Sequence, residues 1–183
     1  RNHIKNKISY LIIIPTLRCN LSCSYCQVSR ASETAKGFDW SNDLISKFED
    51  FVLNNTSEDL KIEFQGGEPT LRLDIINIII KKITRIRPKT VFVICTNLQS
   101  INEDFKDLLK IPSVQISTSL DGPINLHDKQ RINDKGKNEI FFKNLEYVVK
   151  QIGLNRLGAL PTITDFKKIN DIINFYYNFG FSE

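Results

Sequence analysis

The chain alternates two hydrophobic periods. Residues 9–14, "SYLIII", form a continuous apolar run, as expected for a strand buried on both faces. From Asp43 to Asn54, residues Leu44, Ile45, Phe48, Phe51 and Val52 fall on one helical stripe, with Ser41 placed to cap it. "KIEFQ" (61–65) is a short strand that ends at a glycine pair. From Leu71 to Ile86, Ile75, Ile76, Ile79, Ile80 and Ile83 share one helical face, and Pro88 closes the helix. "TVFVICTN" (90–97) reads as a third strand. "SINE" (100–103) has the form of a capping box, and Phe105, Leu108 and Leu109 carry that helix inward. "SVQISTSL" (113–120) is a fourth strand, Glu139 to Ile152 a fourth apolar stripe, "RLGALPTIT" (156–164) a fifth strand, and Ile169 to Tyr177 a fifth helix.

Five strand-helix units in series predict a parallel sheet with right-handed crossovers. A barrel, a partial barrel and an open doubly wound sheet all satisfy that order. The fourth strand separates them. Val114, Ile116, Thr118 and Leu120 share one face, and Gln115, Ser117 and Ser119 the other. Helices cover the apolar face, so the polar face looks inward. A closed barrel fills its interior with branched apolar layers instead. Gln65 extends the same polar lining, which favours an open α/β partial barrel with a wet or ligand-holding lumen.

Composition adds bounds more than identity. The 183 residues suffice for one domain, and 41% hydrophobic with 25% charged residues is ordinary for a globular chain. Lys plus Arg number 25 against 21 for Asp plus Glu, a net +4, and the basic residues are scattered along helical segments. That is a solvated surface, with no basic patch for nucleic acid. No stretch approaches the roughly 20 apolar residues of a membrane span. The chain starts at Arg1, contains no Met, and stops at "GFSE", where a further strand is expected. The expectation is one domain over 1–183, cut from a longer protein at both ends.

The chemistry concentrates in "CNLSCSYC" (19–26), just beyond the carboxyl end of the first strand, the edge where parallel α/β folds place their sites. Cys19, Cys23 and Cys26 are flanked by Asn20, Ser22 and Ser24, loop formers that do not suit buried thiols. A structural zinc site needs a fourth ligand, usually a second Cys pair. The chain offers only Cys95, His3 and His127 besides. An odd local count disfavours disulfides. What remains is an iron–sulfur cluster. A [4Fe–4S] cube normally takes four thiolates. Three thiolates leave one iron open to an exogenous ligand.

C-x3-C-x2-C with an aromatic residue, Tyr25, before the last Cys resembles the signature of the radical S-adenosylmethionine (SAM) enzymes. "GGEP" (66–69) is similar to the family's motif for the methionine amino group. "SLDGPINLHDKQR" (119–131) resembles the segment after strand four in the SPASM-like subgroup that modifies peptides and proteins. The motifs run in the family's order over nearly the whole chain.

The resemblance implies a (β/α)6 partial TIM-like barrel, of which this chain holds about five units. It implies a [4Fe–4S] cluster on Cys19, Cys23 and Cys26. SAM would be bound by Tyr25 near the adenine, by Gly66, Gly67 and Glu68 at the amino group, and by Ser119 and Arg131 at the carboxylate. Each has a plainer alternative: a core aromatic, a tight turn, a surface arginine. Physically, the glycines allow backbone to approach a ligand closely, Glu68 suits an ammonium, and Arg131 suits a carboxylate. Asp121 and His127 read equally as loop caps or substrate contacts. Cys95 reads as a small buried side chain.

The implied reaction is reductive cleavage of SAM to methionine and a 5′-deoxyadenosyl radical, which abstracts hydrogen from a peptide or protein substrate. A flavodoxin- or ferredoxin-type electron donor and a reducing cytoplasm go with it. "CSYCQVSR" and "ALPTIT" look like the His-Xaa-Ser system maturases, and anaerobic sulfatase-maturing enzymes share the "SLDGP…HD…R" segment. Any auxiliary-cluster domain is expected outside this chain. A zinc-stabilised binding module is the alternative of another class.

Overall fold

The computed structural model describes residues 7–132 and 135–181. Ser182 and Glu183, in the segment where a further strand was expected, lie outside the described residues, as does His3. The strands are β1 (Ile8–Thr16), β2 (Arg18–Cys19), β3 (Ala31–Ser32), β4 (Thr56–Gly66), β5 (Val91–Thr96), β6 (Val114–Ser119) and β7 (Leu157–Leu160). The helices are α1 (Asn42–Asn55), α2 (Leu73–Ile86), α3 (Glu103–Leu109), α4 (Ile124–His127), α5 (Lys135–Ile152) and α6 (Ile169–Phe179). Five strands form one all-parallel sheet in the order β1-β4-β5-β6-β7. Successive strands lie side by side, each joined to the next through a helix, as the α/β partial barrel requires.

The alternation in β6 decides which face the helices cover. Val114, Ile116 and Thr118 are buried, whereas Gln115, Ser117 and Ser119 are half-buried on the concave side. β4 repeats the pattern, with Ile62 and Phe64 fully buried against the helices and Glu63 and Gln65 facing in. The convex core joins these strands to Ile76, Ile79, Ile80 and Ile83 of α2, Phe105 and Leu108 of α3, and Phe141, Leu145 and Val148 of α5. Ser41 caps α1 as expected, its Oγ accepting from the Leu44 N–H at 3.2 Å.

Four local expectations change. The apolar run of β1 predicts burial on both faces, but Tyr10, Ile12 and Ile14 are 45%, 50% and 41% exposed on the open side. An apolar run cannot reveal that one of its faces lines a lumen. The third helix is capped by Asn102, whose Oδ1 accepts from the Phe105 N–H at 2.9 Å, so Ser100 lies outside it. α5 begins at Lys135, ahead of its apolar stripe, because helical turns can precede the first core contact. β7 stops at Leu160, before Pro161, which has no N–H for a ladder. Among the described residues no helix is long and apolar enough to cross a membrane.

Candidate functional site

The cysteine loop is fixed at its base and at its tip. At the base, Arg18 and Cys19 pair with Ala31 and Ser32, so residues 19–30 form a closed excursion beyond β1. Arg18 holds that base through Asp39 at 3.0 Å and the Glu33 carbonyl at 3.0 Å, and Asp39 in turn holds Arg72. At the tip, the Ser24 N–H and Oγ both donate to the Gln130 carbonyl, each at 3.0 Å. Within the loop the Leu21 N–H points at Cys19 Sγ (3.4 Å), and the Cys26 N–H donates to the Cys23 carbonyl at 3.1 Å. All four cysteines are free thiols. Burial pushes the Cys19 and Cys23 thiols up, while Cys26 is exposed on the rim.

The glycine pair sits under this loop. The Gly67 N–H donates to the Thr16 carbonyl at 3.2 Å and the Glu68 N–H to the Arg18 carbonyl at 2.8 Å. A Cβ on Gly66 (φ +139°) would lie 2.3 Å from the Thr16 carbonyl oxygen, and one on Gly67 would lie 2.3 Å from that of Arg18. The sequence reading assigned the pair to close approach of a ligand. The structure adds a close approach between two stretches of backbone, which sets where Cys19 emerges.

Glu68 is 1% exposed. Its Oε1 accepts from the Thr70 N–H (3.1 Å) and hydroxyl (2.7 Å), and its Oε2 from the Asn97 N–H (2.7 Å). Burial pushes this carboxyl up, and the donors offset part of that. The carboxylate thus ties the turn after β4 to the end of β5. The Asn97 side chain donates to Asn20 at 2.8 Å and sits 3.9 Å from Cys19 Sγ, which extends the same brace into the cysteine loop. Leu98, beside it, adopts φ 53° while fully buried, a strained turn of the kind that collects at sites.

The third motif closes the mouth. Residues 128–132 form one turn of π-helix, a feature enriched at functional positions. It brings Arg131, 9% exposed, to the cysteine loop, where Nη1 donates to the Tyr25 hydroxyl at 2.6 Å. Tyr25 in turn donates to Asp121 Oδ2 at 2.8 Å. His127 is fully buried, stacked on Phe141 at 4.2 Å, and its Nδ1 accepts from the Asp121 N–H at 3.3 Å. Burial pushes its pKa down to about 3, so the ring is neutral. Of the two readings offered for His127, the loop cap is the one its position fits.

A cavity of about 330 Å³ opens among these pieces. Cys19, Cys23, Tyr25, Cys26, Gly66, Gly67, Glu68, Ser119 and Arg131 all line it. Nine positions spread over more than a hundred residues therefore meet at one mouth. Among the described residues, no three His, Cys, Asp or Glu side chains are grouped to hold a single metal ion.

Cys95 corrects its expectation. It is half-buried and faces the lumen, its thiol donating to Glu63 Oε1 at 3.2 Å. Burial and the Glu63 charge push that thiol up to about 12. Glu63 also accepts from Tyr10 (2.5 Å) and Gln65; burial raises its pKa, but these donors outweigh it and hold the carboxyl below its usual range. Sequence reasoning passed over Glu63, although it alternates with Lys61 and Gln65 on the polar face of "KIEFQ". Asn97 and Thr162, also in the cavity wall, carried no signal beyond their place after a strand.

A family model described as the Radical SAM superfamily matches residues 13–175. The cysteine-type anaerobic sulfatase-maturating enzyme of Clostridium novyi (strain NT) is 30% identical over 149 residues, covering 76% of this chain and 40% of that protein. The GTP 3',8-cyclase of Aliarcobacter butzleri is 26% identical over 182 residues, covering 96% of this chain and 54% of that protein. An uncharacterized protein of Methanothermobacter thermautotrophicus is 26% identical over 178 residues, covering 93% and 64%. The chain thus spans roughly half the length of these curated relatives. Among solved structures, anSMEcpe with bound AdoMet superposes with a TM-score of 0.79 at 22% identity, covering 96% of this chain and 48% of that one. That likeness supports the partial-barrel fold, and with the family match over nearly the whole chain it follows that this protein belongs to the radical SAM superfamily.

Proposed function

We propose that the chain is the core of a radical SAM maturase that acts on a peptide or protein, with residues 1–183 forming a single core domain. The observation that carries this reading is the convergence of three separated motifs on one cavity, with three free thiols in its wall. The thiol set fits a [4Fe–4S] cluster, because each thiolate takes its own iron and the three need not meet at one point. When bound, the cluster and SAM together supply one-electron cleavage of the C5′–S bond.

The protein's share is holding and orienting. Cys19, Cys23 and Cys26 would hold the cluster in a loop clamped at base and tip. Gly66, Gly67 and Glu68 would present the methionine end of SAM with backbone groups, and Glu68 keeps that turn locked to β5. Ser119 and Arg131 would take the carboxylate, and Tyr25 would pack near the adenine. A flavodoxin- or ferredoxin-type donor in a reducing cytoplasm would supply the electron, and Cys26 is the loop thiol exposed at the rim.

A peptide substrate is supported by the sulfatase-maturating relative and by the solved neighbour described with bound AdoMet and Cp18Cys peptide (TM-score 0.76). The lumen also leaves room for one. A second cavity of about 630 Å³ continues along it, sharing Glu63, Ser117 and Leu160 with the first. Metal analysis after anaerobic reconstitution tests the reading. About four irons and four sulfides per chain are expected. Stoichiometric zinc without sulfide would replace the reading with a zinc-stabilised module.

A further inference from the structure

Asp121 stands behind the mouth without itself lining the cavity. It is fully buried. Its Oδ1 accepts from the Thr162 N–H at 3.0 Å, its Oδ2 from the Tyr25 hydroxyl at 2.8 Å, and its own N–H donates to His127. Tyr25, Thr162 and Arg131 do line the cavity. We infer that Asp121 is a positioning residue for SAM binding, acting through Tyr25 and Arg131; this rests on the SAM-binding function proposed above.

Proton direction links the three side chains. A carboxylate only accepts, so the Tyr25 O–H must point at Asp121. The lone pairs of that hydroxyl then face Arg131, whose Nη1–H donates to it at 2.6 Å. The chain Arg131 to Tyr25 to Asp121 therefore has one polarity, running from cation to anion. It fixes the ring that sits between Cys23 and Cys26, and it fixes the guanidinium at the mouth. The same carboxylate fixes the start of the segment after β7 through Thr162. An amide at position 121 keeps the Thr162 contact through its oxygen. Its NH2 must then face Tyr25, which would receive two donors and lose its acceptor.

The test is a mutant cycle on the anaerobically reconstituted full chain, with wild type, Asp121→Asn, Tyr25→Phe and the double variant titrated with SAM. Each single variant should weaken SAM binding about tenfold, the scale of one charge-assisted hydrogen bond. The double variant should fall within about twofold of the weaker single, because both remove the same link. Iron per chain should stay at the wild-type value. A second measurement uses the cluster-free chain: the half-buried Cys23 should react with iodoacetamide several-fold faster in Asp121→Asn, with the already exposed Cys26 and the lumen-facing Cys95 unchanged. Unchanged SAM affinity in Asp121→Asn, additive effects in the double variant, or unchanged alkylation would each overturn the inference. Wild type that fails to bind SAM would overturn the functional reading instead, and the alkylation rates would still decide whether Asp121 holds the loop.

Discussion

Replacing Cys19, Cys23 or Cys26 with alanine is expected to strip the chain of iron, whereas Cys95→Ala should keep it. Loss of a residue that merely orients a ligand already costs about 10–100-fold in metal affinity, so loss of a ligand should cost at least that. Cys95 provides the control. Its thiol donates to Glu63 deep in the lumen and is held protonated, and a protonated thiol is a poor ligand. The three loop thiols share a wall with one another and with the glycine turn. The measurement is iron and sulfide per chain after anaerobic purification of all four variants, with circular dichroism to show that each is folded. Iron retained in the three loop variants, or lost in Cys95→Ala alone, would contradict the ligand assignment.

Arg131→Ala should weaken SAM binding while leaving the cluster in place. A bidentate arginine–carboxylate contact contributes roughly 1.5–3 kcal/mol, or about 10- to 150-fold in affinity. Arg131 is 9% exposed, in the same cavity wall as Cys23 and Ser119 and not on the outer surface. Arg131→Lys should recover only part of the loss, since an ammonium lacks the planar fork. It would also lose geometry toward Tyr25. Normal iron content in both variants separates this effect from cluster loss. Unchanged SAM affinity in Arg131→Ala would remove the residue from the site.

The parts of the fold that the sequence revealed are those where period and burial agree. The polar alternation of "SVQISTSL" correctly placed Ser117 and Ser119 on the lumen side, and the isoleucine stripe of α2 correctly placed its buried face. The apolar run of β1 misled, because an open barrel can leave apolar side chains on its inner face as well. Local motifs gave residue types but not always the reason for them. Gly66 and Gly67 were legible as positions needing close approach, but the approach of the Thr16–Arg18 backbone to them was not. Glu68 was legible as a functional carboxylate, yet its bond to Asn97 depends on a turn after β5 that has no sequence signature. The link from Asp121 to Tyr25 spans 96 positions and exists only once β1 and β6 share a sheet. No pattern within one segment encodes a contact of that kind.

In the proposed function this cavity binds a cluster and SAM for one-electron cleavage. The most direct test is to reconstitute the full chain anaerobically with iron and sulfide, reduce it with dithionite, add SAM, and quantify 5′-deoxyadenosine and methionine. The account predicts that both products form in equal amounts in the wild-type chain and fall to background in Cys19→Ala, Cys23→Ala and Cys26→Ala. A wild-type chain that carries a full complement of iron and sulfide and binds SAM, yet forms no 5′-deoxyadenosine above the Cys variants, would contradict it.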